Sequence, residues 1–98
     1  MAGYVIADVD VKQPDAYEEY RRQVGPTLEA YGGKFLVRGG RAEPLEGTWV
    51  PNRLVILEFE TFERAKQRYS SQEYAGPKAL RQSLSVGNLV IVEGIPSP

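Results

Sequence analysis

The sequence predicts an α+β domain in two layers, one four-stranded antiparallel sheet with helices packed on one face. Three observations predict it. Period-two and helical patterns follow one another as strand, helix, strand, strand, helix, strand. Glycine and proline mark the joints between them. At 98 residues the chain has room for one core, so residues 1–98 are read as a single domain.

Tyr4 to Val11 alternates as a strand, with Val5, Ala7 and Val9 on one face and Tyr4, Ile6 and Asp8 on the other. Pro14 suits the first turn of a helix, and Asp15 favours its positive end. Tyr17, Tyr20, Val24, Leu28 and Tyr31 then recur at three- and four-residue steps, one apolar stripe. Gly25-Pro26 predicts a kink or break in that stripe, and Gly32-Gly33 its end.

Lys34 to Arg38 is the second strand, Phe35 and Val37 facing one way, Leu36 and Arg38 the other. Gly39-Gly40 predicts a bulge or bend where it leaves the sheet. A connection from about Ala42 to Asn52 leads to the third strand, Leu54 to Phe59. Thr61 caps a second helical region whose inner side carries Phe62, Ala65 and Tyr69. Ser70-Ser71 reads as a restart before Tyr74, Pro77, Leu80 and Leu84, and Leu89 to Glu93 is the last strand. This order is the split βαβ, or ferredoxin-like, arrangement.

Two helices cover only one side of such a sheet, so the other side should be polar. Here it is not. Alternation puts Val55, Leu57, Phe59, Val90 and Val92 toward the helices and leaves Leu54, Ile56, Leu89 and Ile91 outside, beside Tyr4, Ile6 and Leu36. An apolar face of that kind marks an interface, which predicts a homodimer through the sheets with a space enclosed between them.

Composition removes whole classes of chemistry. Cysteine and histidine are both absent, which excludes disulfides, thiolate metal sites and the Ser-His-Asp triad. No metal site or tightly held cofactor is expected. A net charge of −1 offers no general attraction to nucleic acid or anionic lipid. The N-terminus reaches Asp8 after a short apolar run, with no signal peptide and no membrane-spanning segment, so the cytoplasm is the expected location.

The charged members of the outer face are Arg38, Asp8, Glu58 and Glu93. They read in two ways. Arg38 would hold an anionic ligand through its planar fork while a half-buried carboxylate moves protons, or all four form an ion-pair network that fixes the dimer's register. Tyr17, Tyr20 and Tyr31 read as packed core; Tyr69 and Tyr74 stand nearer the break at Ser70-Ser71, where one could face a pocket mouth. Trp49, the single tryptophan, reads as a lid or, preferably, as an anchor on the partner subunit. Arg53 would line the same opening or stay solvated. Gly39-Gly40-Arg41 lacks phosphate-loop spacing.

The runs Tyr31-Gly-Gly-Lys-Phe-Leu-Val-Arg-Gly-Gly-Arg41, Leu45-Glu-Gly47, Pro51-Asn-Arg-Leu-Val-Ile-Leu-Glu-Phe59, Tyr69-Ser-Ser-Gln-Glu-Tyr74 and Val92-Glu-Gly94 resemble the family catalogued as domain of unknown function thirteen-thirty. The resemblance implies membership of the dimeric α/β-barrel superfamily, similar in fold to muconolactone isomerases, cofactor-free antibiotic monooxygenases and haem-binding chlorite dismutases. It supplies no reaction, because relatives on one fold do different chemistry. Without histidine the chain lacks the usual axial ligand of the haem binders.

Three functions stay open on the sequence: a homodimer with a pocket for a small organic molecule between its paired sheets, a cofactor-independent isomerase, cyclase or monooxygenase, and a purely structural homodimer. RNA recognition on the same topology is disfavoured. The third strand offers aliphatics and Glu58 where stacking rings would be needed.

Overall fold

The computed structural model describes residues 1–96. Its elements are β1 (Gly3–Val11), α1 (Pro14–Ala30), β2 (Lys34–Arg38), β3 (Arg53–Phe59), α2 (Phe62–Tyr69), α3 (Gln72–Leu84) and β4 (Ser85–Glu93). The strands pair in the order β2-β3-β1-β4, all antiparallel, which is the ferredoxin-like sheet. The expected topology holds.

Local chemistry accounts for the helix ends. Thr61 Oγ1 accepts from the Arg64 amide at 3.0 Å and opens α2, and Ser71 Oγ accepts from the Tyr74 amide at 3.2 Å and opens α3. Two caps, at Thr61 and Ser71, explain the restart at Ser70-Ser71. The expected break at Gly25-Pro26 does not occur, because α1 runs on as one helix to Ala30. Pro26 is exposed, while the buried stripe of Tyr17, Tyr20, Val24 and Leu28 holds α1 against the sheet on both sides of it. Packing outweighs one lost backbone bond.

The core lies between the helices and one sheet face. Val5, Ala7 and Val9 of β1, Leu57 and Phe59 of β3, Ala65 of α2 and Tyr74 of α3 are buried there. Phe59 and Tyr74 are the largest side chains fully removed from solvent.

Two strands present other faces than simple alternation predicts. In β4 the register sets Ile91 against Val5 and Leu89 against Ala7, so these two lie beneath the helices while Val90 and Val92 face outward. Both alternate sets of this strand are apolar, and alternation alone cannot choose between them. Glu93 pairs with Gly3, on the helix side, and is exposed at the strand end. In β2 a bulge between Phe35 and Val37 sets Val37 opposite Ile56 and Arg38 opposite Val55. Arg38 therefore lies on the helix side, its guanidinium 4.3 Å from the centre of the Phe35 ring.

The outer face keeps its apolar character through these exchanges. It carries Tyr4, Ile6, Val37, Leu54, Ile56, Val90 and Val92, with Val90 55% exposed and Val92 43%. Leu36, in the bulge, is half exposed.

Candidate functional site

Between the sheet and the helices, a cavity of about 50 Å³ is bounded by aliphatic strand residues, three tyrosines and four arginines. A single water needs ~10–15 Å³, so the space accepts a few water-sized groups. Val5, Ala7 and Val9 form the floor. Tyr17 and Tyr20 come from α1, Tyr74 and Arg81 from α3, Arg68 from α2, and Arg38 and Arg53 from the edges of β2 and β3.

The arginines define the electrostatics. Arg68 is 3% exposed and Arg81 7%, while Arg53 is half-buried and Arg38 exposed at the mouth. The Arg68 guanidinium lies 3.7 Å from the centre of the Tyr74 ring and donates to Thr27 Oγ1 at 3.0 and 3.3 Å. Arg81 Nε reaches the Tyr74 hydroxyl at 3.4 Å, and that hydroxyl shares a 2.8 Å hydrogen bond with the hydroxyl of Tyr20. The Nε of Arg53 is buried without a hydrogen-bond partner. Among the described residues no carboxylate pairs with any of the four. None lines the cavity.

Burial shapes the titrations. Desolvation pushes the Tyr20 phenol well above its ordinary value, and the adjoining Tyr74 pushes it further. Tyr17 rises for the same first reason, against the pull of Arg53 and Arg81. Desolvation lowers Arg68, the direction expected of a cation held away from water and from anions.

The residues singled out from sequence fall into separate places. Arg38, Arg53 and Tyr74 line the cavity. Asp8, Glu58 and Trp49 belong to the opposite, open side of the sheet. There Asp8 accepts from Trp49 Nε1 at 2.7 Å and from the Asn52 amide at 2.8 Å, tying the long connection onto β1. Glu58 pairs with Lys34 at 3.1 Å. Tyr69 borders a neighbouring hollow shared with Arg68, its ring 6.1 Å from that of Tyr74 and covered by Lys78 at 4.3 Å. Glu93 approaches neither place. The grouping of Arg38 with Asp8, Glu58 and Glu93 is therefore corrected, since the bulge in β2 and the register of β4 move Arg38 and Glu93 to the helix side. Arg53 and Trp49 do not share one opening.

Arg68 and Arg81 escaped the sequence reading, and Tyr17 and Tyr20 were read as core alone. A signal existed. Arg68 stands three residues after Ala65 and Arg81 seven after Tyr74, both on apolar stripes where a charge is out of place.

A family model described as Domain of unknown function (DUF1330) matches residues 2–95. The chain belongs to this family. Among solved structures, DUF1330 chain and neighbour share the fold at low identity. A protein of unknown function from Rhodopseudomonas palustris, RPA0582, is 21% identical, with 98% of this chain and 84% of that one covered and a TM-score of 0.75. A conserved protein of unknown function from Bacteroides thetaiotaomicron is 12% identical over 95% and 97% of the chains, with a TM-score of 0.66. A candidate antibiotic biosynthesis monooxygenase from Nitrosomonas europaea is 17% identical over 98% and 100%, with a TM-score of 0.56. These likenesses speak to fold. A comparison with curated proteins finds no match. Among the described residues no helix is long and apolar enough to cross a membrane, and no group of three or more Asp or Glu is placed to hold a metal ion.

Proposed function

We propose that this DUF1330 protein binds a small organic anion, a carboxylate with a short apolar body, in the cavity between its helices and its sheet. One observation carries the reading: Arg68 and Arg81 are both buried, and no carboxylate among the described residues neutralises them. Removing a cation from water costs several kcal/mol even after relaxation, on the order of 3–5 when its partner is missing. Thr27 and Tyr74 solvate the two guanidiniums, with Tyr20 bonded to the Tyr74 hydroxyl, but none of them brings a negative charge. A bound carboxylate supplies it, and the planar fork of arginine accepts it through paired hydrogen bonds. The aliphatic floor accommodates the ligand's body.

The same reading includes a homodimer through the open sheet face, supported by the exposed Val90 and Val92 beside Ile6 and Ile56. The cavity lies on the other side of the sheet, so pairing would leave its mouth free.

Catalysis is a second reading with one specific support. The Tyr74 hydroxyl touches both Arg81 Nε and the Tyr20 hydroxyl, which makes it the group best placed to pass a proton to a bound anion. A cofactor-independent isomerisation or cyclisation would use it so.

Thermal unfolding with butyrate, and with butanol as its uncharged counterpart, tests the binding reading. Butyrate should raise Tm in a saturable manner, following the mass-action law for native-state ligands. Butanol should not, and Arg81→Gln should abolish the shift. Equal effects of acid and alcohol would remove the anion site.

A further inference from the structure

A groove of about 380 Å³ adjoins the cavity, shares Val9, Tyr17 and Arg53 with it, and is lined further out by Gly39, Arg21 and Glu18. Arg53 stands at the joint. It opens β3 opposite Val9, whereas Arg68 borders the space beside Val5. Four residue steps along β1, from Val5 to Val9, separate those ends, ~13 Å of extended chain. Arg68 and Arg53 therefore border this space from opposite ends of β1.

Arg53 is a built feature and not a stray surface side chain. Its Nε is buried and unpartnered. Its guanidinium lies against Gly39, where an added Cβ would come within 2.5 Å of Nη1. Gly39 also has φ +70°, a conformation that disfavours side chains, so this corner of β2 has both the space and the backbone that seating Arg53 requires. Arg21, the other arginine of the groove, is already paired with Glu18 at 2.9 Å. Arg53 has no such partner among the described residues. Between the two ends the sheet side of the wall is Val9, Val55 and Leu57, all apolar, and α1 adds the ring of Tyr17.

We infer that Arg53, with Arg38 beside it at the mouth, is a second anion anchor, and that the natural ligand is a short two-headed acid of the α,ω-dicarboxylate class. One carboxylate rests on Arg68 and Arg81, the hydrocarbon middle lies along β1, and the other carboxylate pairs with Arg53. This inference rests on the anion-binding reading above and narrows it from one acid group to two. A monoanion would leave the buried Nε of Arg53 unpaired, and that difference is the source of selectivity.

The test is calorimetric titration with succinate, glutarate, adipate and pimelate, each against its own monomethyl ester, which keeps the length and removes one charge. One member of the series should bind at least tenfold tighter than its ester. Arg53→Gln should bring the diacid down to the ester's affinity. Gly39→Ala, which displaces the Arg53 guanidinium without altering its charge, should narrow the margin as well. Far-ultraviolet circular dichroism confirms that each variant is folded. Diacid and ester binding equally well to the wild type would overturn the inference while leaving the anion site intact, as would a margin that survives Arg53→Gln. Failure of every acid and ester to bind would remove both.

Discussion

The guanidinium of Arg68 lies over the ring of Tyr74, 3.7 Å from its centre, and no carboxylate among the described residues pairs with it. A cation over a desolvated ring gains about 2 kcal/mol, which offsets only part of the cost of burying it. The cavity thus carries charge that folding alone does not require.

That imbalance makes Arg68→Met informative. Methionine fills a similar shape without the desolvation cost, so the loss of the ring contact and of the Thr27 hydrogen bonds should nearly cancel against it. Chemical denaturation should find stability within about 1 kcal/mol of the wild type, while stabilisation by butyrate is lost. A fall of about 3 kcal/mol or more would mean that Arg68 serves the fold itself.

The tyrosine pair predicts an alkaline limit. Burial first, then Tyr74, raises the phenol of Tyr20, and burial raises Tyr17. The unfolded chain releases these protons from about pH 10, before the folded protein does. Stability from this source is therefore complete below about pH 10 and is lost as pH climbs toward the folded-state values. Phenolate absorbance should show a late fraction that appears together with unfolding. Tyr20→Phe should shrink that fraction and cost about 1 kcal/mol for the hydrogen bond at 2.8 Å.

Asp8 predicts an acid limit of a different kind. The Trp49 indole, then the Asn52 amide, hold its carboxyl below the ordinary aspartate value. The contribution of this latch is present above about pH 3.9 and disappears as pH falls through the lower folded-state value. Trp49 is the single tryptophan, so its fluorescence anisotropy reports the latch directly. Anisotropy should hold through about pH 4 and drop only below it, as pH falls through the lowered folded-state value. In Asp8→Ala it should already be low at neutral pH.

Adjacent residues of β4 should behave in opposite ways. Val90 faces the open side and Ile91 the helices. The wild type should sediment as a dimer, and Val90→Lys should leave a folded chain that sediments as a monomer. Ile91→Lys should instead lower Tm through a charge forced into the core, on the order of 3 kcal/mol. Dissociation in both variants, with unchanged Tm, would contradict the register.

The fold was legible because period, caps and breakers agree along most of the chain: Thr61 and Ser71 each open a helix where a hydroxyl precedes an apolar stripe. The site was less so. Arg38 reached the helix side through a bulge that nothing in Lys34–Arg38 announces, and alternation cannot show a one-residue slip. Leu89 and Ile91 exchanged sides with Val90 and Val92 because both sets are equally apolar. Arg68 and Arg81 were visible as charges on apolar stripes, yet their significance depends on having no acidic partner in space, which spacing along the chain does not reveal.

Nuclear magnetic resonance of the arginine Nε–H groups during a butyrate titration tests the central claim most directly. The signals of Arg68 and Arg81 should move together, saturably and at one ligand concentration, while that of the exposed Arg22 of α1 stays still. A titration that leaves Arg68 and Arg81 unmoved, or that instead shifts the backbone amides around Asp8 and Ile56 on the open face, would contradict it.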